Sequence, residues 1–238
     1  MTDADLRTLL ADRVAAVRGR IAAACARAGR DPAEVTLVAV TKTVSPRVVA
    51  VMPELGVPDL GENRPQELWR KAEAVKHLSV RWHLIGHLQR NKVERTLPLV
   101  QVIHSIDSLR LARTVAEDGT RCGCHPTTLL QVNVSREEQK HGFNPDELLT
   151  LQSDLARLPL NVVGLMGMAA YADDPERARP TFVELRQFRD RLRRDWNRDG
   201  FRITQLSMGM SGDFEVAIEE GATLVRIGTT LFEGLEGE

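Results

Sequence analysis

One lysine and two glycine-hydroxyl loops are the residues of this chain whose types and spacing could do chemistry. Lys42 stands at the end of the apolar run at residues 35–43, V-T-L-V-A-V-T-K-T, which is followed by Ser45-Pro46. A run this short, bounded by turn and cap signals, predicts a fully buried strand. Ligands of parallel α/β folds gather at the carboxyl ends of strands, so a lysine there is placed to meet one. It could neutralise an anion or, when unprotonated, form an imine with an aldehyde. The plain structural alternative is a lysine that caps a strand and points to water. Lysine is scarce in the chain: Lys42, Lys71, Lys76, Lys92 and Lys140 are the five, against 27 arginines.

The two loops are S-M-G-M-S-G at residues 207–212 and R-I-G-T-T at residues 226–230. Glycines let backbone N–H groups approach an anion, and hydroxyls add donors. Taken singly, Ser211 is an N-cap and Gly228 a tight turn. Together, on adjacent strands, the two loops predict a phosphate cradle. A lysine beside such a cradle suits a phosphorylated aldehyde or ketone, with pyridoxal 5'-phosphate (PLP) and a sugar phosphate as candidates. Desolvation, or a neighbouring cation such as Arg226, would favour the neutral lysine that an imine requires.

The elements that must position these residues follow from the apolar pattern. Leu6, Leu10, Val14, Val17, Ile21 and Cys25 recur at helical spacing and Gly29 supplies a stop, so a helix precedes the first strand. Strands are predicted at residues 35–43, 59–62, 81–85, 101–106, 129–134, 162–168, 203–208 and 224–227. Helices fall between them. Ser45, Asn63, Ser108 and Asn144 are the expected caps, and the helix after the first strand is expected to stop before Pro53. Strand and helix alternate eight times without a linker, the pattern of parallel strands with right-handed crossovers, and eight strands close a barrel. The expectation is α/β: a single (β/α)8 TIM barrel over residues 1–238 with an extra N-terminal helix. A doubly wound open sheet is the alternative, although no G-x-G-x-x-G follows any strand.

Composition excludes several classes. A net charge of −1 exerts no pull toward nucleic acid or an anionic membrane. The arginine-rich stretch at residues 177–198 is interleaved with acids, and with one tyrosine there is no aromatic interleaving for base stacking. No apolar run reaches the ~18 residues of a membrane span. Three cysteines make no disulfide framework, and Cys122, Cys124 and His125 lack a second ligand pair at zinc-finger spacing, so no metal is expected. The N-terminus lacks signal-peptide features, which predicts a cytoplasmic protein.

The strings V-T-L-V-A-V-T-K, L-G-E-N, W-H-L-I-G-H-L-Q-R-N-K, V-N-V-S-R-E-E-Q-K-H-G, G-L-M-G-M, L-S-M-G-M-S and V-R-I-G-T resemble the YggS/PROSC family of pyridoxal phosphate homeostasis proteins. They run from the first strand to the end of the chain. The resemblance implies the barrel of the alanine racemase N-terminal domain and PLP held through an imine to Lys42. It further implies phosphate contacts at Ser211, Gly228, Thr229 and Thr230, Arg226 beside the pyridine nitrogen, and Met208 and Gly212 among the cofactor-binding residues. Asn63 and His83 fall in motifs lining the ring, although His83 is equally readable as a satisfied barrel-core histidine. Lys140 matches a lysine of the family's loop after strand five, a possible secondary or transfer site. Where the family reads G-E-N-Y-V-Q-E this chain has G-E-N-R-P-Q-E, so Arg64 and Pro65 alter that rim.

Arg226 also bears on activity. A guanidinium only donates, so a pyridine nitrogen facing it must accept and stays unprotonated, which weakens the cofactor as an electron sink. The expectation is a non-catalytic, monomeric PLP carrier that stores the cofactor and passes it to apo-enzymes. Alternatives are an amino acid racemase, in which Tyr171 would be the second base although no second domain is evident, and a Schiff-base aldolase acting on a sugar phosphate.

Overall fold

The computed structural model describes residues 1–134, 141–170, 172–196 and 201–236. The opening helix α1 (Asp3–Arg27) is fixed by a capping box, in which Thr2 and Asp5 bond each other's backbone N–H groups. Its stripe of Leu6, Leu10, Val14, Val17, Ile21 and Cys25 is buried. The chain then alternates β1 (Thr36–Val40), α2 (Pro46–Glu54), β2 (Asp59–Glu62), α3 (Pro65–Ala74), β3 (Arg81–Leu84), α4 (Val93–Thr96), β4 (Val102–Ile106), α5 (Leu109–Cys122) and β5 (Thr127–Gln131). It continues through α6 (Pro145–Thr150), α7 (Gln152–Leu155), β6 (Asn161–Met166), α8 (Arg179–Asp195), β7 (Phe201–Ser207), α9 (Phe214–Glu219), β8 (Leu224–Ile227) and α10 (Thr229–Phe232).

The eight strands form a closed barrel in sequence order. Closure is made by β8 on β1, parallel, in the register Thr36↔Leu224 to Ala39↔Ile227. The helix α1 braces that seam from outside: Arg13 donates to the Leu231 carbonyl, Arg20 pairs with Glu215 and Arg27 with Glu219.

Side chains alternate along each strand, so one set faces the helices and the other the barrel interior. The outward set is almost wholly apolar. Leu60, Leu84, Ile103, Leu130, Leu165, Leu206 and Val225 join one large cluster with helix residues such as Leu68, Leu111, Phe182 and Phe214. Inside, Val38, Leu129, Met166 and Leu224 form a separate small cluster. The rest of the described interior includes polar side chains, His83, His104, Ser207 and Arg226 among them. Among the described residues no helix is long and apolar enough to cross a membrane.

All eight expected strands are present, and several boundaries differ. The fifth runs Thr127–Gln131, not 129–134, because Val132 leaves the ladder to bridge Phe143. Pro53 lies inside α2, next to its last residue. Between β3 and β4 a 3-10 turn, Arg90–Lys92, leads into α4. Ser108 and Asn144 cap as expected. Ser45 occupies the cap position of α2 without a side-chain bond, and its hydroxyl is buried and unpartnered. The cap position of α3 is Arg64, not Asn63, because Pro65 at the first helical position sets the boundary.

Candidate binding site at the barrel mouth

Lys42 lies two residues beyond β1 and is exposed at the mouth. The residue before it is held tightly. Lys71 of α3 donates to the Thr41 carbonyl at 2.5 Å and to Glu62 at 2.6 Å, while the Thr41 hydroxyl donates to the same Glu62 oxygen at 2.6 Å. Lys71, Glu62 and Thr41 are fully buried. The peptide that presents Lys42 is thus clamped by an ion pair between the barrel wall and α3.

Because β8 neighbours β1, the loop after β8 lies against the same segment. A Cβ on Gly228 would stand 3.4 Å from both the Cβ and the carbonyl oxygen of Val40. Across this loop the Ser211 hydroxyl accepts from the backbone N–H of Gly228 at 3.3 Å and of Thr230 at 3.4 Å. Ser211 is therefore not an N-cap; Asp213 holds that position before α9 and accepts from the Met210 N–H at 2.6 Å. Gly209 makes the turn into this loop at φ +90°, and a Cβ there would come within 2.6 Å of the Ala217 Cβ. Two N–H groups that converge on one hydroxyl oxygen form a donor pair suited to an anionic oxygen. Gly212 and Thr229 are exposed beside it, and Thr230 is half-buried.

Below the mouth Arg226 is almost completely buried. Its guanidinium donates to the Ser207 carbonyl at 2.7 Å, the Ser207 hydroxyl at 2.6 Å and the Gly167 carbonyl at 3.0 Å. These bonds use three of the five N–H groups a guanidinium carries. Burial pushes its pKa down to about 10, against the opposing charge of Asp213, so it stays protonated at neutral pH. Burial pushes the Asp213 carboxyl up, the Met210 N–H and Arg226 opposing it.

From Arg226 a chain of polar side chains crosses the interior. The Ser207 hydroxyl meets His104 Nδ1 at 2.7 Å, His104 Nε2 meets His83 Nδ1 at 2.8 Å, and His83 Nε2 meets Asp59 at 2.9 Å. The bond from β4 to β7 joins strands that are not neighbours, which is possible only through the barrel centre. Burial, with His83 and Arg226 adding to it, pushes the His104 pKa well below its ordinary value. Burial pushes Asp59 up, but bonds from His83 and Arg81 outweigh it and hold the carboxyl below the ordinary value. Asp59 is thus an anion and His104 neutral. One placement of the ring protons satisfies every atom: Arg226 donates to Ser207, Ser207 to His104 Nδ1, His104 Nε2–H to His83 and His83 Nε2–H to Asp59. A cation and an anion are joined by four hydrogen bonds pointing one way.

Of the residues expected at the site, the structure brings Lys42, Ser211, Gly212, Gly228, Thr229 and Thr230 to the mouth and places Arg226 beneath it. Asn63 is exposed at the end of β2, where its carbonyl would stand 2.1 Å from a Cβ on Gly86, so that glycine is a requirement of close approach. Two expectations need correction. His83 is 2% exposed with both ring nitrogens engaged, so it belongs to the interior chain rather than to a ring-lining surface. The Met208 side chain is fully buried in the outer apolar cluster, on the opposite parity from Ser207, and does not face the mouth. Lys140 and Tyr171 lie outside the described residues.

Sequence reasoning missed His104, Asp59, Lys71 and Asp213. Asp59, His83 and His104 could have been found as polar residues of one parity on three consecutive strands. Lys71 carries no such signal, since its helix position reads as surface.

The comparisons with known proteins agree with this geometry. The family model described as "Alanine racemase, N-terminal domain" matches residues 13–235, which sets the class of barrel. A pyridoxal phosphate homeostasis protein of Aquifex aeolicus is 44% identical over 93% of this chain and 96% of its own length. Among solved structures, an unknown protein from Bifidobacterium adolescentis superposes with a TM-score of 0.90 at 36% identity, covering 98% of both chains. PipY of Synechococcus elongatus PCC7942, solved with PLP bound, superposes with a TM-score of 0.83 at 32% identity, covering 94% of this chain and 99% of its own. The chain belongs to the pyridoxal phosphate homeostasis protein family.

Proposed function

We propose that this protein binds PLP at the barrel mouth and, as a cytoplasmic monomer built on one barrel, stores it and passes it to apo-enzymes. The observation that carries the reading is Arg226, a donor-only cation anchored by three hydrogen bonds under a mouth that also presents Lys42 and the Ser211 loop. PipY, its PLP-bound relative, supports the same cofactor. When bound, PLP supplies an aldehyde that reacts with amines. Lys42 would supply the amine, and the backbone N–H groups of Gly228 and Thr230, with the hydroxyls of Ser211, Thr229 and Thr230, would hold the phosphate. Arg226 would donate to the ring nitrogen. The described donor set fits the group: an aldehyde-reactive amine, an anion cradle and a fixed cation converge on one mouth.

Holding, rather than turnover, is favoured by Arg226. A guanidinium whose pKa is about 10 remains a donor at neutral pH, so the nitrogen it faces stays unprotonated and the ring withdraws few electrons. The test is the visible spectrum of protein incubated with PLP and desalted, then borohydride reduction and peptide mapping over the five lysines. Retained absorption with the label on Lys42, absent in Lys42→Ala, is expected. No retained chromophore refutes PLP binding, and racemisation of amino acids well above the rate of free PLP refutes the carrier role.

A further inference from the structure

On the rim of the mouth, across the barrel from the cradle, three side chains from three different loops converge without any role in the site described above. His87 follows β3, Asp107 follows β4, and His141 lies beyond β5. One ring nitrogen of each histidine and one carboxylate oxygen all lie within 4.8 Å of one another. His87 Nδ1 bonds Asp107 at 2.9 Å, and the two imidazoles stack with centroids 4.5 Å apart and planes 18° from parallel. Among the described residues this is the one group of three or more histidine, cysteine, aspartate or glutamate side chains with that proximity. Cys122, Cys124 and His125 make no such group.

We propose that His87, Asp107 and His141 form a binding site for a divalent transition-metal ion, Zn2+ above all. Two imidazoles and one carboxylate are the ligand types that borderline ions prefer, and the set leaves a fourth position for water. Bonds of about 2.0–2.1 Å to a tetrahedral ion place ligand atoms about 3.4 Å apart, so the observed spread closes by a little over 1 Å at most. Parallel rings cannot aim their lone pairs at one point, so binding turns one ring out of the stack. That motion is cheap, because the His87 side chain is 45% exposed and His141 is exposed too.

The backbones that carry the ligands are already held. Ser105 Oγ donates to the Gly86 carbonyl at 2.7 Å, immediately before His87. The second oxygen of Asp107 accepts from Ser108 Oγ at 3.1 Å, which orients the carboxylate as outer partners of metal ligands do. The His141 carbonyl accepts from Gln131 Nε2 at 2.9 Å, tying it to the end of β5. A bound ion would staple the loops after β3, β4 and β5 to one another. His141 follows Lys140 directly in sequence, so the ion would also anchor one end of the segment bearing that lysine.

The test uses PLP-free, chelator-washed protein and needs no activity. Calorimetric titration with Zn2+ is expected to show one ion per chain, and Co2+ to give the visible d–d absorption of nitrogen and oxygen ligation. His87→Ala and His141→Ala are each expected to weaken Zn2+ on the order of 100-fold, with circular dichroism unchanged because both side chains are exposed. Zn2+ should raise the Tm of the wild type and not of the double variant. The variant with Cys122→Ser and Cys124→Ser should bind as the wild type does. Absence of stoichiometric Zn2+ binding, binding undiminished in the histidine double variant, or loss of binding in the cysteine variant would each overturn the proposal.

Discussion

The two faces of the same eight strands are built on opposite terms. Outward, toward the helices, most buried side chains of the described residues are apolar, a few are hydroxyls, and the charged exception is one ion pair, Lys71 with Glu62. Inward, four apolar residues share the space with a directed polar chain from Arg226 to Asp59. A barrel interior is ordinarily filled by branched aliphatic side chains. Replacing part of that filling with histidines, a serine, an aspartate and an arginine sacrifices apolar packing and fixes a charge in orientation. The outer layer therefore holds the barrel together, while the inner one sets the electrostatics of its mouth.

The largest effect should come from breaking the exception in the outer layer. Lys71→Met leaves Glu62 buried with only the Thr41 hydroxyl as partner, and should cost about 3–5 kcal/mol in urea unfolding at neutral pH. If Lys71→Met with Glu62→Met recovers most of that, the pair serves the outer layer no better than apolar residues would. In the inner chain, Ser207→Ala deprives His104 Nδ1 of its donor and Arg226 of one acceptor. The expected cost is about 1–3 kcal/mol by the same measurement. A loss near zero would mean that water replaces the hydroxyl and that the chain is not dry.

A finer test uses pH. His104 has a folded pKa well below its ordinary value of 6.5, so below that pH the unfolded chain takes up a proton that the folded protein refuses. Its contribution is fully present above pH 6.5 and falls with pH by up to about 1.4 kcal/mol per unit until the folded pKa is reached. His104→Gln should flatten this slope in denaturation curves taken below pH 6.5. Asp59 acts in the same direction, and its contribution begins to fall only as the pH drops through its ordinary 3.8.

The outer layer was legible in the sequence, and the inner one only in part. A bounded apolar run gives away β1 because a strand covered by helices on one side and barrel contents on the other reads as a continuous hydrophobic stretch. The glycine-hydroxyl loops at Ser211 and Gly228 were visible because their composition is unusual at strand ends. His104 was not. A single histidine in V-I-H-S-I has no local signal, and its meaning lies in a bond to Ser207, 103 positions away. Asn63 misled as a cap because Pro65 at the first helical position moves the boundary to Arg64, whereas Ser45 does hold the cap position of α2, without a side-chain bond. Met208 misled because its motif neighbours line the mouth, while strand parity turns its own side chain outward.

The seam between β8 and β1 has a consequence for how the protein is made. Lys42 emerges early in synthesis, whereas the hydroxyl loop and Arg226 are translated more than 160 residues later, and the register Thr36↔Leu224 must form before they meet. Pairing across so long a stretch of chain is entropically slow. A nascent or truncated chain that stops short of β8 holds Lys42 without Arg226 and without the Gly228 loop that meets Ser211. Competence at the mouth is therefore acquired all at once, when the last strand closes the ring.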